Sequence, residues 1–287
     1  MRQFNNVAFG SDAEVFLFDA TGRPFPVCGL VGGTKAQPKP LGIDGYFIQE
    51  DNCALEFNIP VTRTREEWSR AFNTALKLLN GAVPGHFQLH NVAVAEFDPA
   101  FLEIPQTRVF GCEPDFNAWT LDMNATPEVP EGKEGMRTAS AHIHISWDKP
   151  DEEQRIALVR ASDIFVSLND VQETEDKTRR LMYGKAGAFR FKEYGIEHRV
   201  LSNDWIWNKE GRVWDRYQNA LTYLNLGGKV DEEDFTPIQQ AINTYDAKLA
   251  NQLHEKYYGK LVDLVQTPKP KAIPKNKSSS AYPKIRF

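Results

Sequence analysis

Residues 138–147 read TASAHIHISW, a short run that alternates in the manner of a β-strand. Successive strand side chains point to opposite faces, so His142, His144 and Ser146 share one face while Ile143, Ile145 and Trp147 share the other. The chain holds six histidines, and two of them project the same way from this one segment. At strand rise they reach points about 7 Å apart. Whatever fold the chain adopts must bury the isoleucine face and give the histidine face polar company.

The rest of the chain offers both. SDAEVFLFDATGRPFPV (11–27) predicts a strand from Asp12 to Phe18, a turn and a second strand. GYFIQEDNCALEFNIP (45–60) reads as a strand pair or one bent strand. TREEWSRAFNTALKLLNG (64–81) carries Trp68, Phe72, Ala75, Leu76 and Leu79 at helical spacing, with Gly81 as its stop. HFQLHNVAVAEFD (86–98) is a weak strand, PAFLEIP (99–105) a helical turn, and 126–135 a loop rich in Pro and Gly. DEEQRIALVRASDIFVSLND (151–170) is helical, with acidic residues where the helix dipole favours them. Residues 178–202 form a basic stretch punctuated by glycine that ends in a strand. Two helices follow, the second capped by Thr236, with Pro237 at its first position, and running to about Tyr258. Strand and helix blocks mix without a regular βαβ alternation, which predicts an α+β fold on an antiparallel sheet. Residues 1–265 are expected to form one domain, and 266–287, basic and rich in Pro and Ser, an extended tail.

Composition excludes several function classes. The 287 residues are 41% hydrophobic and 25% charged, ordinary for a globular chain, and a net charge of −5 argues against a general nucleic-acid binder. No run of about 18 apolar residues predicts a membrane span, and the N-terminus has no apolar signal core. Cys28, Cys53 and Cys112 lack the spacing of a zinc knuckle or a disulfide framework. The expectation is a protein of a reducing cytoplasm.

Four clusters bear chemistry. Asp12 and Glu14 lie two apart on a predicted strand, a pattern that most often marks a solvated face. Glu56 is harder to dismiss, because CALEFNIP is apolar around it and a buried carboxylate needs a cation or a shifted pKa; Glu50 and Asp51 precede it. The H-x-H pair suits a divalent metal or phosphate, against packed histidines as the bland alternative. The fourth cluster holds Arg179, Arg180, Lys185, Arg190, Lys192, Glu197 and Arg199, interleaved with Gly184, Gly187 and Gly195. It is either a basic surface or a site for an anionic ligand. Together, strand carboxylates, paired histidines and downstream cations describe Mg²⁺-nucleotide chemistry. There is no GxxxxGK[ST] loop; GLVGGTKAQP (29–38) reads as a flexible turn, with a phosphate or lid loop as the other reading.

In their order, GSDAEVFLFD, QEDNCALEFNIP, EPDFNAW, ASAHIHIS and YGKAGAFRFKEYGIEHRVLSN resemble the glutamine synthetase-like superfamily. Within it they are most similar to the phage-type carboxylate–amine ligases, the type 2 amidoligases. The resemblance spans about residues 10 to 205. It implies a glutamine synthetase catalytic-domain-like fold: an antiparallel sheet curved into a half-barrel, helices packed on one side, ATP and Mg²⁺ or Mn²⁺ on the other. By the same resemblance Asp12, Glu14, Glu56, His142 and Glu197 correspond to metal ligands. Glu50 or Asp51 completes the second acidic strand, His144 faces the ATP phosphates and Ser146 the nucleoside. Lys185 and Arg190 correspond to two phosphate-binding arginines, and Arg199 to the arginine on substrate or phosphoryl oxygens, so that Glu56, Arg190 and Arg199 carry the catalytic roles.

Some positions depart from that pattern. Lys185 replaces an arginine, Gly195 stands where arginine is common, and Ala139, Ser140 and Ala141 replace small flexible glycines. The implied reaction is ATP-dependent amide formation through an acyl phosphate, on small-molecule or peptide carboxylates and amines. Nucleic acid enters only as a modified base, a homo-oligomer is compatible, and the location is the host cytoplasm if the chain is bacteriophage-encoded. EPDFNAWT is expected to shape the substrate pocket through Asp115, Asn117 and Trp119, with core packing as the alternative. The rival readings are a guanidino kinase-like phosphotransferase, an H-x-H zinc hydrolase built as a barrel, and a non-catalytic binding or structural protein with a decayed site.

Overall fold

The computed structural model describes residues 3–108, 115–173 and 177–267. Its strands, in chain order, are β1 (Ala8–Phe18), β2 (Pro24–Phe25), β3 (Lys39–Pro40), β4 (Phe47–Asp51), β5 (Ala54–Asn58), β6 (Gln88–His90) and β7 (Val94–Glu96). They continue with β8 (Phe116–Asn117), β9 (Asp122–Met123), β10 (Met136–Thr138), β11 (Ala141–Ser146), β12 (Ala188–Lys192) and β13 (Gly195–His198). The helices are α1 (Arg65–Ala82), α2 (Pro105–Arg108), α3 (Glu152–Ser162), α4 (Leu168–Glu173), α5 (Glu210–Asn225), α6 (Phe235–Thr244) and α7 (Ala247–Gln266).

The large sheet runs β3-β4-β5-β1-β11-β13-β12-β8-β9, antiparallel at every pairing and open at both ends. β2 and β6 pair with the far end of β1, and β7 pairs with β10 separately. This is the expected α+β fold, with helices on one side of the sheet and no closed barrel. The QEDN segment resolves into a hairpin, β4 turning into β5 at Asn52, which adopts a left-handed conformation.

Register assigns the two faces. Phe9, Ala13, Val15, Leu17, Leu55, Phe57, Ile143, Ile145, Phe189 and Ile196 enter the main core. Helix α1 lays Trp68, Phe72, Ala75 and Leu79 against that face, and α5 adds Trp214 and Tyr217. Phe9 sits 4.7 Å from the Trp214 ring and Trp68 stacks on Trp205, so aromatic area anchors helices to sheet. The other face carries the polar residues of β1, β5, β11, β12 and β13. A small cluster of Phe16, Cys53, Ala54, Ala95, Phe97 and Ala139 covers one end of it.

Two helix boundaries differ from expectation. Helix α1 runs through Gly81 to Ala82; its stop is Val83, extended because Pro84 follows. The expected helix from Thr236 to about Tyr258 is two helices. Thr236 and Pro237 lie inside α6, Tyr245 turns left-handed, and the Asp246 carboxylate accepts from the Leu249 N–H to start α7. The predicted helix over 151–170 is interrupted by a π-helical turn at Asp163–Ser167. The tail beyond residue 267 and Cys112 lie outside the described residues.

Candidate active site

β1 lies at the centre of the polar face, and its two carboxylates belong to different groups. Glu14 stands directly across from Glu56 on β5, and Asp51, at the end of β4, joins them. One oxygen of each lies within 4.8 Å of the others. Glu14 also accepts the Ser140 N–H at 2.7 Å. Burial first, then the charge of Asp51, raises the Glu14 carboxyl to about 8. Burial and the charges of Asp12, Glu14 and Asp51 push Glu56 well above its ordinary range, and burial raises Asp51. Three half-desolvated carboxylates repel one another, and a hard divalent cation is the ligand that oxygen-only donors of this kind suit.

Glu50 is not part of this group. Strand alternation turns it to the opposite face, where its carboxylate accepts the backbone N–H groups of Gly29, Val31 and Gly32 at 2.8–3.0 Å. These hydrogen bonds hold Glu50 below its usual range despite burial. The GLVGG segment is thereby tied to its own chain, and those three amides are engaged by Glu50 rather than left to receive phosphate.

The second group is Asp12, His142 and Glu197. Asp12 pairs with His142 across β1 and β11, with its carboxylate 3.1 Å from the His142 ring and 3.2 Å from His144 Nε2. Glu197, on β13, stands opposite His144 of β11 and Arg190 of β12. It meets Lys192 Nζ at 2.6 Å, His142 and Arg190 at 3.7 Å, and pairs closely with Arg199. Against burial and the like charge of Asp12, the nearby His142, Arg199 and His144 hold Glu197 down to about 2. Asp12 falls well below its ordinary value because His144 and His142 outweigh its burial. Burial and Arg199 lower His142, whereas Asp12 overcomes burial and raises His144.

Two cavities flank this row. One of about 420 Å³ is lined by Gly10, Ile59, Val61, His144, Ser146 and Tyr194. Its wall is mostly apolar; Ser146 donates to the Ala8 carbonyl, and the Tyr194 hydroxyl is 2.6 Å from His144 Nδ1. The other, of about 520 Å³, contains Asp115 and Lys185. Asp115 reaches Arg199 at 2.6 Å and Arg190 at 3.7 Å, which joins the second cavity to the row. Lys185 lines this second cavity rather than the row itself.

Of the expected pocket residues, Asp115 faces the site, whereas Trp119 is buried and donates to Asp163 at 2.7 Å. Asn117 shapes the turn by accepting the Trp119 N–H at 2.8 Å. Tyr194 was not readable as a site residue, because its role arises from the hairpin that returns it to His144. Lys192 was visible as a cation two residues from Arg190, but its pairing with Glu197 depends on β12–β13 register. Gly195 has a steric cause: a side chain there would collide with the Ile145 carbonyl and come within 2.7 Å of Trp147.

Behind the sheet, fully buried Asp163 accepts the Gly187 N–H at 2.6 Å and Ser167 Oγ at 2.9 Å, and approaches His198 at 3.4 Å. His198 in turn meets the Tyr217 hydroxyl at 2.8 Å. This network fastens the glycine-rich segment before β12 to the helix layer.

No protein-family model and no curated protein sequence matches the chain. Among solved structures, the fold is similar to that of a bifunctional glutathione synthetase from Pasteurella multocida, with a TM-score of 0.53 and 10% identity. The match covers 91% of this chain and 46% of that one. The fold is shared. The chain spans about half the length of that protein. Among the described residues no helix is long and apolar enough to cross a membrane.

Proposed function

We propose that the chain is an ATP-dependent carboxylate–amine ligase of the glutamine synthetase-like type, using Mg²⁺ or Mn²⁺. The observation that carries this reading is the pair of carboxylate-containing groups side by side on one sheet face, adjoined by Arg190, Lys192 and Arg199. The fold likeness to a protein named as a glutathione synthetase supports a ligase. The open sheet, and the absence of a further histidine in the ligand groups among the described residues, weigh against the zinc-hydrolase barrel.

Glu14, Asp51 and Glu56 would hold one cation, and Asp12, His142 and Glu197 a second. When bound, such cations supply charge stabilisation at transferring phosphoryl oxygens. The protein's own part is positioning. His144, held at its two ring nitrogens by Asp12 and Tyr194, faces the phosphates with the positive charge that Asp12 favours, and the apolar cavity beside Ser146 takes the nucleoside. Arg190 and Arg199 neutralise the carboxylate that attacks the γ-phosphorus; ADP leaves and an acyl phosphate remains. An amine then attacks the carbonyl, the C–O bond to phosphate breaks, and an amide forms. Substrates are small-molecule or peptide carboxylates and amines.

ADP release measured on a panel of carboxylates, with and without amines, tests this reading. A ligase gives amide product and sustained ADP release only when both partners are present. A phosphorylated product accumulating without amine would instead favour the guanidino kinase-like alternative.

A further inference from the structure

The 520 Å³ cavity beside the row has a chemistry of its own. Lys185 lines it together with Asp115, Asn124, Thr126 and Tyr183. Among the described residues Lys185 makes no ion pair, and the charge it chiefly senses is the like charge of Arg180. A half-buried ammonium without an acidic partner is costly unless an anion from outside completes it.

Its segment is fixed in advance. Gly184 is left-handed and packs against the Arg179 guanidinium and the Val200 carbonyl, leaving no room for a side chain. The Ala186 N–H donates to Asn243 at 2.8 Å, and the Gly187 N–H to Asp163 at 2.6 Å. Ala118 donates to the Gly187 carbonyl at 3.0 Å, which closes the loop against the segment carrying Asp115. The lysine is thus presented from a backbone pinned on both sides.

Asp115 lines this cavity and is also ion-paired with Arg199 at 2.6 Å. An amine arriving there meets a hydrogen-bond acceptor, whereas a carboxylate meets a like charge. Glu128, at the exposed rim, adds a second acceptor for a cationic group.

We infer that this cavity binds the amine substrate, and that this substrate is an amino acid or short peptide whose carboxylate is held by Lys185 while its amino group reaches Asp115. The inference rests on the ligase reading and assigns Lys185 to the amine partner rather than to ATP phosphate. In the second step the amine nitrogen forms the C–N bond as phosphate departs with the C–O electron pair. Of the two protons the ammonium loses, one leaves with phosphate and one passes through Asp115 to water.

The test is calorimetric titration of the full chain, saturated with Mg²⁺ and a non-hydrolysable ATP analogue. The probes are the common L-amino acids, glycylglycine, their C-terminal amides and 1,4-diaminobutane. At least one amino acid or glycylglycine is expected to bind, and its amide at least about 30-fold more weakly, as for loss of a charged hydrogen bond. Lys185→Gln should remove the preference for carboxylate over amide, and Lys185→Arg should keep it. Binding of diaminobutane or the amides as tightly as the parent acids would overturn the inference, and so would silence of every amino acid and of glycylglycine. A loss in Lys185→Gln that falls on the ATP analogue instead would return the lysine to phosphate. Failure of the wild-type chain to bind the ATP analogue would be a failure of the ligase reading itself, separately visible in the first titration.

Discussion

The two carboxylate groups on the polar face differ in what surrounds them. Asp12, His142 and Glu197 are met by Lys192, Arg190 and Arg199, so their charge is largely balanced within the protein. Glu14, Asp51 and Glu56 have no ion-paired cation among the described residues, and all three hold their protons above the ordinary range. Similar residue types in adjacent strand positions therefore hold opposite protonation preferences. A group that is balanced internally is organised before ligand arrives, whereas a group that is not acts as a demand for a cation from outside.

Substitution should separate the two groups first in activity and then in stability. Glu14→Gln, Glu56→Gln and Glu197→Gln are each expected to lower metal-dependent ATP turnover by at least about 100-fold. Wild-type turnover in all three would remove the metal-site assignment. Their stabilities should diverge: Glu197→Gln strands the Arg199 and Lys192 charges and should cost about 3 kcal/mol in denaturant unfolding, the size seen when one partner of a buried pair is removed. Metal-free Glu14→Gln, which removes a carboxyl that already resists ionisation, should be neutral or stabilising at pH 8.

The pH dependence follows from the same contrast. A carboxyl raised to about 8 in the folded chain, against 4.5 for an ordinary glutamate, binds a proton that the unfolded chain has released. Between those values stability contributed by Glu14 is lost as pH rises, and Glu56 acts in the same sense. Asp12 and Glu197 work oppositely: their lowered values stabilise the fold above the ordinary carboxylate range, and that contribution is lost on acidification. The metal-free protein should therefore lose stability from about pH 5 to 8, and millimolar Mg²⁺ should flatten that slope. A metal-free profile that rises with pH across this range would contradict the unbalanced group.

A smaller effect distinguishes the histidines. His142 is enclosed by Asp12, Glu197 and Arg199, while His144 faces the cavity beside Tyr194. His142→Ala should weaken Mg²⁺ or Mn²⁺ dependence and lower the melting temperature, and His144→Ala should chiefly raise KM for ATP. Tyr194→Phe, which removes only the hydroxyl on His144, should raise that KM by about 3- to 10-fold, the scale of one hydrogen bond. Indistinguishable metal and ATP titrations for the two histidine variants would defeat the split.

Much of this was readable from alternation alone. The period of two in SDAEVFLF put Asp12 and Glu14 on one face of their strand, and that in TASAHIHISW put His142, His144 and Ser146 on one face of theirs, because that period is a local property of the backbone. That the two faces are the same one follows from β1–β11 pairing. The choice between Glu50 and Asp51 was not legible, since it depends on the register of the β4–β5 hairpin, which opposes Glu50 to Leu55 of the core face. The separation of Asp12 from Glu14 into two groups was equally hidden, because it follows from β1 having β5 on one side and β11 on the other. The helix break at Tyr245 is not legible from spacing, because Thr236 and Pro237 form a plausible helix start and the left-handed turn falls on a tyrosine rather than a glycine.

Manganese binding to the protein without nucleotide tests the central contrast most directly. Titration of the wild-type chain with Mn²⁺, followed by the electron paramagnetic resonance of the free ion, should show a site that is lost in Glu14→Gln/Glu56→Gln. The same site should persist, weakened less, in Glu197→Gln. Equal Mn²⁺ binding by the wild type and the double variant, or loss confined to Glu197→Gln, would contradict the account.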